Sequence, residues 1–220
     1  MINENTKDDI GMILRNASST RPVIRLINHE GGRAVIKDFS LNGFFFRNVV
    51  GRFLIWREAR AYRKMSGLEG VPRLLQVVGG RSLMVEAVSG TDLKETGLQR
   101  KLPPHFFESL KALVDHVHER GVAHCDLKAS GNVLVSSDGR PFIIDWGASI
   151  SRSEFRFFPL TMIYDRFVVD DYRAITKFKL RYMPETVDEE EKCRYEHRSL
   201  AEKTIRAIRD RLRKWLQAIA

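Results

Sequence analysis

The chain is short of cysteine, of long apolar runs and of clustered metal ligands. Cys125 and Cys193 lie far apart, with no companions at metal-ligand spacing. A disulfide scaffold and a zinc module are thereby excluded, and a reducing compartment is expected. No stretch approaches the ~20 apolar residues that cross a bilayer. A charged start followed by an apolar run, the mark of an export signal, is also missing. No repeat or low-complexity segment appears. The expectation is a cytoplasmic chain that does not span a membrane.

What is present fits a folded protein. The 220 residues are 43% hydrophobic and 30% charged, enough for one domain or for two small lobes sharing a cleft. The formal charge is +9, but residues 192–220 alone carry nine basic and three acidic residues. The rest of the chain is only about +3, so no nucleic-acid partner is expected.

Apolar patterning divides the chain into two parts. Short strands are expected at Met12–Leu14, Val23–Ile27 and Ala34–Phe39, with a turn over residues 28–32. Leu54, Ile55, Ala61, Tyr62 and Met65 give helical spacing over residues 52–65, and a hairpin over Leu74–Val78 and Ser82–Val88 follows. Ser89–Asp92 is read as a turn, and the boundary between an N-lobe (1–89) and a helical C-lobe (90–220) is set there. Beyond it, Phe106, Phe107, Leu110, Leu113, Val114 and Val117 describe a helix after Pro103-Pro104. A last amphipathic helix carries Ile205, Ile208, Leu212, Trp215, Leu216 and Ile219 on one stripe, with arginines opposite. The order implies an α+β pair of lobes.

The chemistry concentrates in His124-Cys125-Asp126-Leu127-Lys128, Asn132 and Asp145-Trp146-Gly147. If Asp138-Gly139 is a two-residue hairpin turn, partners sum to 277 and Asn132 faces Asp145. An amide oxygen and a carboxylate so placed suit Mg²⁺, which keeps water and phosphate oxygens in its other positions. Asp126 could then orient an attacking hydroxyl and Lys128 could neutralise charge on a transferred group, the chemistry of phosphoryl transfer. Upstream, alternation puts Lys37 on the same strand face as Val35 and Phe39, where an ammonium needs a partner. Glu58 is the only acid within residues 52–65 and lies on the apolar face. Each is misplaced alone and sensible as a pair.

H-x-D-L-K with a following Asn, then D-x-G, resembles the catalytic loop and metal-binding turn of the protein-kinase-like superfamily. The resemblance extends over roughly residues 11–150 and implies a two-lobed fold with an antiparallel-sheet N-lobe and a shortened helical C-lobe. It implies ATP and Mg²⁺ as cofactors, with Lys37 on the α/β-phosphates and Glu58 fixing Lys37. Main-chain groups of Glu86 and Val88 would meet the adenine, Asn132 and Asp145 would hold the metal, and Asp126 and Lys128 would be catalytic.

There are departures. No G-x-G-x-x-G stands between the first two strands, whose tip is Asn16-Ala17-Ser18-Ser19. Asn132 is six residues after Asp126 where five is usual, so Gly131 competes for the ligand position and the assumed register favours Asn132. Cys125 replaces an arginine common in regulated protein kinases, which argues against switching by loop phosphorylation. A helix is expected to open near Asp170-Asp171-Tyr172, with Asp171 anchoring the catalytic loop.

These features resemble the compact bacterial branch, lipopolysaccharide core (Kdo or heptose) kinases and RIO-like kinases. The implied acceptor is a lipopolysaccharide sugar or glycolipid, with peripheral contact of the terminal helix at the inner face of the cytoplasmic membrane. A compact RIO-like serine/threonine protein kinase and an ATP-binding pseudokinase scaffold are the alternatives. His124 reads as a loop brace, His105, His116 and His118 as solvated or capping, and Phe44-Phe45-Phe46 as core or lobe packing.

Overall fold

The computed structural model describes residues 11–99 and 102–196. The stripe from Ile205 to Ile219, with its expected membrane contact, lies outside them. Five antiparallel strands form the first layer: β1 (Met12–Arg15), β2 (Val23–His29), β3 (Gly32–Asp38), β4 (Leu74–Val78) and β5 (Ser82–Glu86), in the spatial order β1-β2-β3-β5-β4. The turn expected over residues 28–32 tightens to Glu30-Gly31, because His29 pairs with Gly32. Helix α1 (Gly51–Lys64), entered through one wide turn at Phe46–Val50, lays Ile55, Ala59 and Tyr62 against the sheet, where Leu83 and Val85 are buried. Of the three consecutive phenylalanines only Phe46 is core, 5.8 Å from Phe39; Phe44 and Phe45 are exposed. A helical turn can send only one of three successive side chains inward.

Residues 89–92 are not a turn. Gly90–Asp92 is a short strand, β6, paired with β8 (Val133–Ser136), which pairs in turn with β9 (Pro141–Ile143). The β8–β9 ribbon has a bare edge, and β6 satisfies its backbone groups. The chain then enters α2 (Leu93–Gln99), where Asp92 Oδ1 accepts the Glu95 N–H at 2.8 Å.

Helix α3 (Phe106–Glu119) buries the six apolar residues expected of it. Strands β7 (Val122–Ala123) and β10 (Ile150–Ser151) pair as a small clasp. Helix α4 runs Leu160–Tyr182 and α5 Glu189–Glu196. Helix α4 thus starts ten residues before the expected opening at Asp170. Its first turns bury only Tyr164, so no apolar stripe marks them, and Pro159 at the entry is the only local signal.

One glycine ties the two layers. Gly70, with φ +83, leads into β4, and its carbonyl accepts the Ile143 N–H of β9 at 2.8 Å. An added Cβ would stand 2.6 Å from Leu113 Cδ2 and 3.0 Å from the Pro141 carbonyl oxygen. Gly70→Ala combines a left-handed backbone with a clash and should destabilise the fold by about 2 kcal/mol, read from urea unfolding.

Candidate active site

The site begins with Lys37 on β3. Its ammonium stands 2.6 Å from Glu58 Oε1 on α1 and 2.7 Å from Asp145 Oδ1 after β9. Lys37 and Glu58 are buried, while the Asp145 side chain is 43% exposed and opens toward solvent. Burial works against the Lys37 charge, yet the two carboxylates outweigh it and raise the ammonium above its usual range. Burial likewise works against ionised Asp145, and Lys37 outweighs it, holding that carboxyl below its usual range. Glu58 is raised, because burial and the nearby Asp145 exceed what Lys37 returns.

Asp145 reaches Lys37 through its backbone. At φ 62 and ψ 67 it is left-handed, an arrangement aspartate tolerates better than most residues. The kink sends the Asp145 carboxylate toward β3 while the next side chain, Trp146, goes fully into the core. Trp146 Nε1–H donates to the Ile143 carbonyl at 3.2 Å. Tyr62 is buried on the neighbouring helix, and burial, with the Glu58 and Asp145 charges, pushes its ionisation far up. Tyr62 was legible in the sequence only as an apolar helix residue, since periodicity does not show which core residue lies beside those charges.

The ribbon register differs from the two-residue reading. Val133 pairs with Ile143, Leu134 with Phe142 and Val135 with Pro141, so partners sum to one less than expected. The turn has three residues, Ser137–Gly139, with Gly139 at φ +81 and Ser136 N–H bonded to the Arg140 carbonyl. The Ser136 hydroxyl, held between Asp138 and Arg140, closes this wider loop. Asn132 is therefore bonded through its carbonyl to Ile144 N–H at 2.9 Å and is not opposite Asp145. Asn132 and Asp145 still lie at the same end of the ribbon, one residue out of step. Asn132 Nδ2 donates to the Asp126 carbonyl at 3.0 Å, which spends its donor on the loop and keeps the amide oxygen as the atom a cation would use.

The catalytic-loop segment is held from behind. His124 is buried, with Nε2 3.0 Å from the Ile144 carbonyl, Nδ1 accepting the Asp126 N–H at 3.3 Å, and its ring edge-on to Trp146 at 4.6 Å. It is the brace the sequence suggests. Cys125 has φ 67, a left-handed conformation that costs a cysteine about 1–2 kcal/mol. Asp171 offsets this: its carboxylate accepts the His124 N–H at 2.7 Å and the Cys125 N–H at 3.1 Å. The anchor expected of Asp171 is thus made of hydrogen bonds from a helix that starts a turn and more earlier.

His118 corrects its reading as solvated. It is almost fully buried, 3.0 Å from Asp171 Oδ2 and edge-on to Tyr172. His105 and His116 are exposed beside Glu108 and Glu119. Cys125 has no nucleophile's environment, since burial and then Asp171 push its thiol well above the usual range.

The remaining candidates are placed as follows. Lys128 is exposed on the loop, and its carbonyl accepts from Lys177. Glu86 ends β5, where its N–H is taken by the Arg73 carbonyl at 2.9 Å and its side chain pairs with Arg73. Val88 follows where the chain has left the sheet. Missed by the sequence reading are Arg57 and Arg60 on α1, which bond the Ser149 carbonyl and Glu154 in the segment after Asp145. A helix rich in arginine reads as a solvated face until the fold shows what it lies against.

Comparison with known proteins comes to the same place. A sheet with one helix, a helical layer below, and Lys37, Glu58 and Asp145 joined between them define a protein-kinase-like fold. The chain shares that fold with the solved structures similar to it. Two structures of the Rio2 kinase from Chaetomium thermophilum are similar to it. One, an ADP/Mg²⁺-phosphoaspartate complex, has a TM-score of 0.58 at 19% identity over 83% of this chain and 59% of that one. The other has 0.57 at 18% identity over 86% and 63%. Among curated proteins, serine/threonine-protein kinase PknD of Chlamydia trachomatis serovar D is 38% identical over 71 residues, 32% of this chain and 7% of PknD. The EKC/KEOPS complex subunit BUD32 of Encephalitozoon cuniculi is 37% identical over 101 residues, 44% of this chain and 49% of the subunit. The chain thus spans less than two thirds of each of these proteins. No family model matches it.

Two substitutions test the frame of the site. Lys37→Met leaves Glu58 buried without a counter-charge and should cost about 3 kcal/mol in urea unfolding. Asp171→Asn places a donor against one of two backbone N–H groups and should cost about 2 kcal/mol, with hydrogen exchange rising at His124 and Cys125 first.

Proposed function

We propose that this chain is a compact, RIO-like ATP-dependent kinase that passes the γ-phosphoryl group to a protein hydroxyl. The observation that carries the reading is the single buried ammonium of Lys37 shared between Glu58 and Asp145. Glu58 aims Lys37, and Lys37 in turn meets the phosphates of a nucleotide entering beside β3. The Glu86 carbonyl and the Val88 amide would take the adenine edge. The lobe boundary near residue 89 falls where the chain passes from the five-stranded sheet to β6.

Asn132 and Asp145 would hold the cation. An amide oxygen and an ionised carboxylate are hard oxygen donors. So sparse a donor set suits Mg²⁺, which keeps places for phosphate oxygens and water. When bound, magnesium neutralises charge on the phosphates. Asp126, placed by the His124 brace and the Asn132 side chain, orients and accepts the proton of the attacking hydroxyl. Lys128 meets charge on the transferred group.

A protein acceptor is favoured over the lipopolysaccharide sugar. The similar proteins carry names such as serine/threonine-protein kinase and Rio2 kinase, which support a protein acceptor. No helix among the described residues is long and apolar enough to cross a membrane.

The test is phosphotransfer from radiolabelled ATP with Mg²⁺ to generic protein substrates, to the chain itself and to purified core glycolipid. The expected result is protein or self labelling, with Asp126→Asn lower by about 10²–10⁴. Equal labelling by Asp126→Asn would overturn the mechanism, and labelling of glycolipid alone would overturn the acceptor. Mg-ATP binding with no transfer to any acceptor would favour the scaffold reading.

A further inference from the structure

The tip joining β1 and β2 is built differently from a glycine loop that wraps phosphates in backbone N–H groups. Residues 16–19 are Asn-Ala-Ser-Ser, with no glycine. Ser18 and Arg21 spend their N–H groups on each other's carbonyls, at 3.1 and 3.3 Å. The buried Asn42 side chain then fastens the tip from the β3–α1 connection. Its Nδ2 donates to the Ser18 carbonyl at 2.6 Å and lies 3.2 Å from those of Ser19 and Arg21. Amides so committed are poor anion donors.

The same segment supplies a cation instead. Strand β1 carries a bulge between Ile13 and Arg15: Ile13 pairs with Arg25, and Arg15, not Leu14, pairs with Ile24. Bulges re-aim side chains. Ile24 pairs with Lys37 on β3. Residues directly opposite across antiparallel strands project to the same face. Arg15, Ile24 and Lys37 therefore form one row on the face that meets Asp145, with Arg15 two strands, about 10 Å, from Lys37. Arg15 is exposed at the open end of that row.

We infer that Arg15 and Lys37 together hold the nucleotide phosphates, a pair of side-chain cations doing here what backbone N–H groups of a glycine loop would do. Arginine suits the outer position, since its planar fork offers two parallel donors to one phosphate and stays charged at every working pH. The inference rests on the nucleotide-binding reading proposed above and adds to it how the phosphates are recognised.

Calorimetric titration of the full chain with Mg-ATP, Mg-ADP and adenosine separates the two. Arg15→Ala should weaken Mg-ATP and Mg-ADP about tenfold or more while adenosine stays within about twofold. Arg15→Lys should recover part of the loss. Arg63→Ala, an equal loss of charge on exposed α1, should change nothing. Wild-type binding of Mg-ATP with Arg15→Ala within about twofold of it would overturn the clamp alone. Wild type that binds no Mg-ATP at millimolar concentration would overturn the nucleotide site and the clamp together.

Discussion

One ammonium serves two carboxylates, and the arrangement of the molecule follows from it. Lys37, Glu58 and Asp145 come from a strand, a helix and a turn remote from one another in the chain, yet the nitrogen lies within hydrogen-bond distance of both acids. Removing Lys37 would leave like charges facing each other in a poorly solvated place. β3, α1 and the turn after β9 must therefore be positioned jointly, and apolar packing alone would not demand it. Tyr62 and Trp146 are buried beside the joint and belong to the one core that underlies it. The opening toward solvent at Asp145 is what makes the cluster a site and not only a strut.

A second buried carboxylate has the opposite task. Asp171 touches no part of the Lys37 cluster and holds main-chain N–H groups instead. By doing so it sustains the left-handed Cys125 next to Asp126. His118 fills the remaining space against Asp171, and His124 links loop and ribbon. Charge thus appears in two roles: a cation shared between acids that join strand, helix and turn, and an acid shared between amides that holds a loop.

The likenesses to Rio2, PknD and BUD32 agree on the fold and cover different shares of those proteins. Two sets of side-chain ties flank the site. The β1–β2 tip is fastened by Asn42, and the segment following Asp145 is tied to α1 by Arg57 and Arg60. Both ties bear on pieces that flank the shared lysine, so the surroundings of Lys37 are fixed by side chains from several elements.

Residue type and spacing were sufficient for much of this. A lysine on an apolar strand face and the lone acid on an apolar helix face announce each other, because each is too costly to bury alone. The strands up to Glu86, the apolar faces of α1 and α3, and the brace at His124 were legible for the same reason: burial leaves a periodic mark. Features without a period were not legible. β6 exists because a ribbon edge needed a partner, the start of α4 is half exposed, and the ribbon register depended on Ser136 closing a three-residue turn. Tyr62, Arg57 and His118 took their roles from neighbours far off in the chain. Local pattern records what a side chain avoids, which is water or its absence; the partner it finds is decided only when the chain has closed in three dimensions.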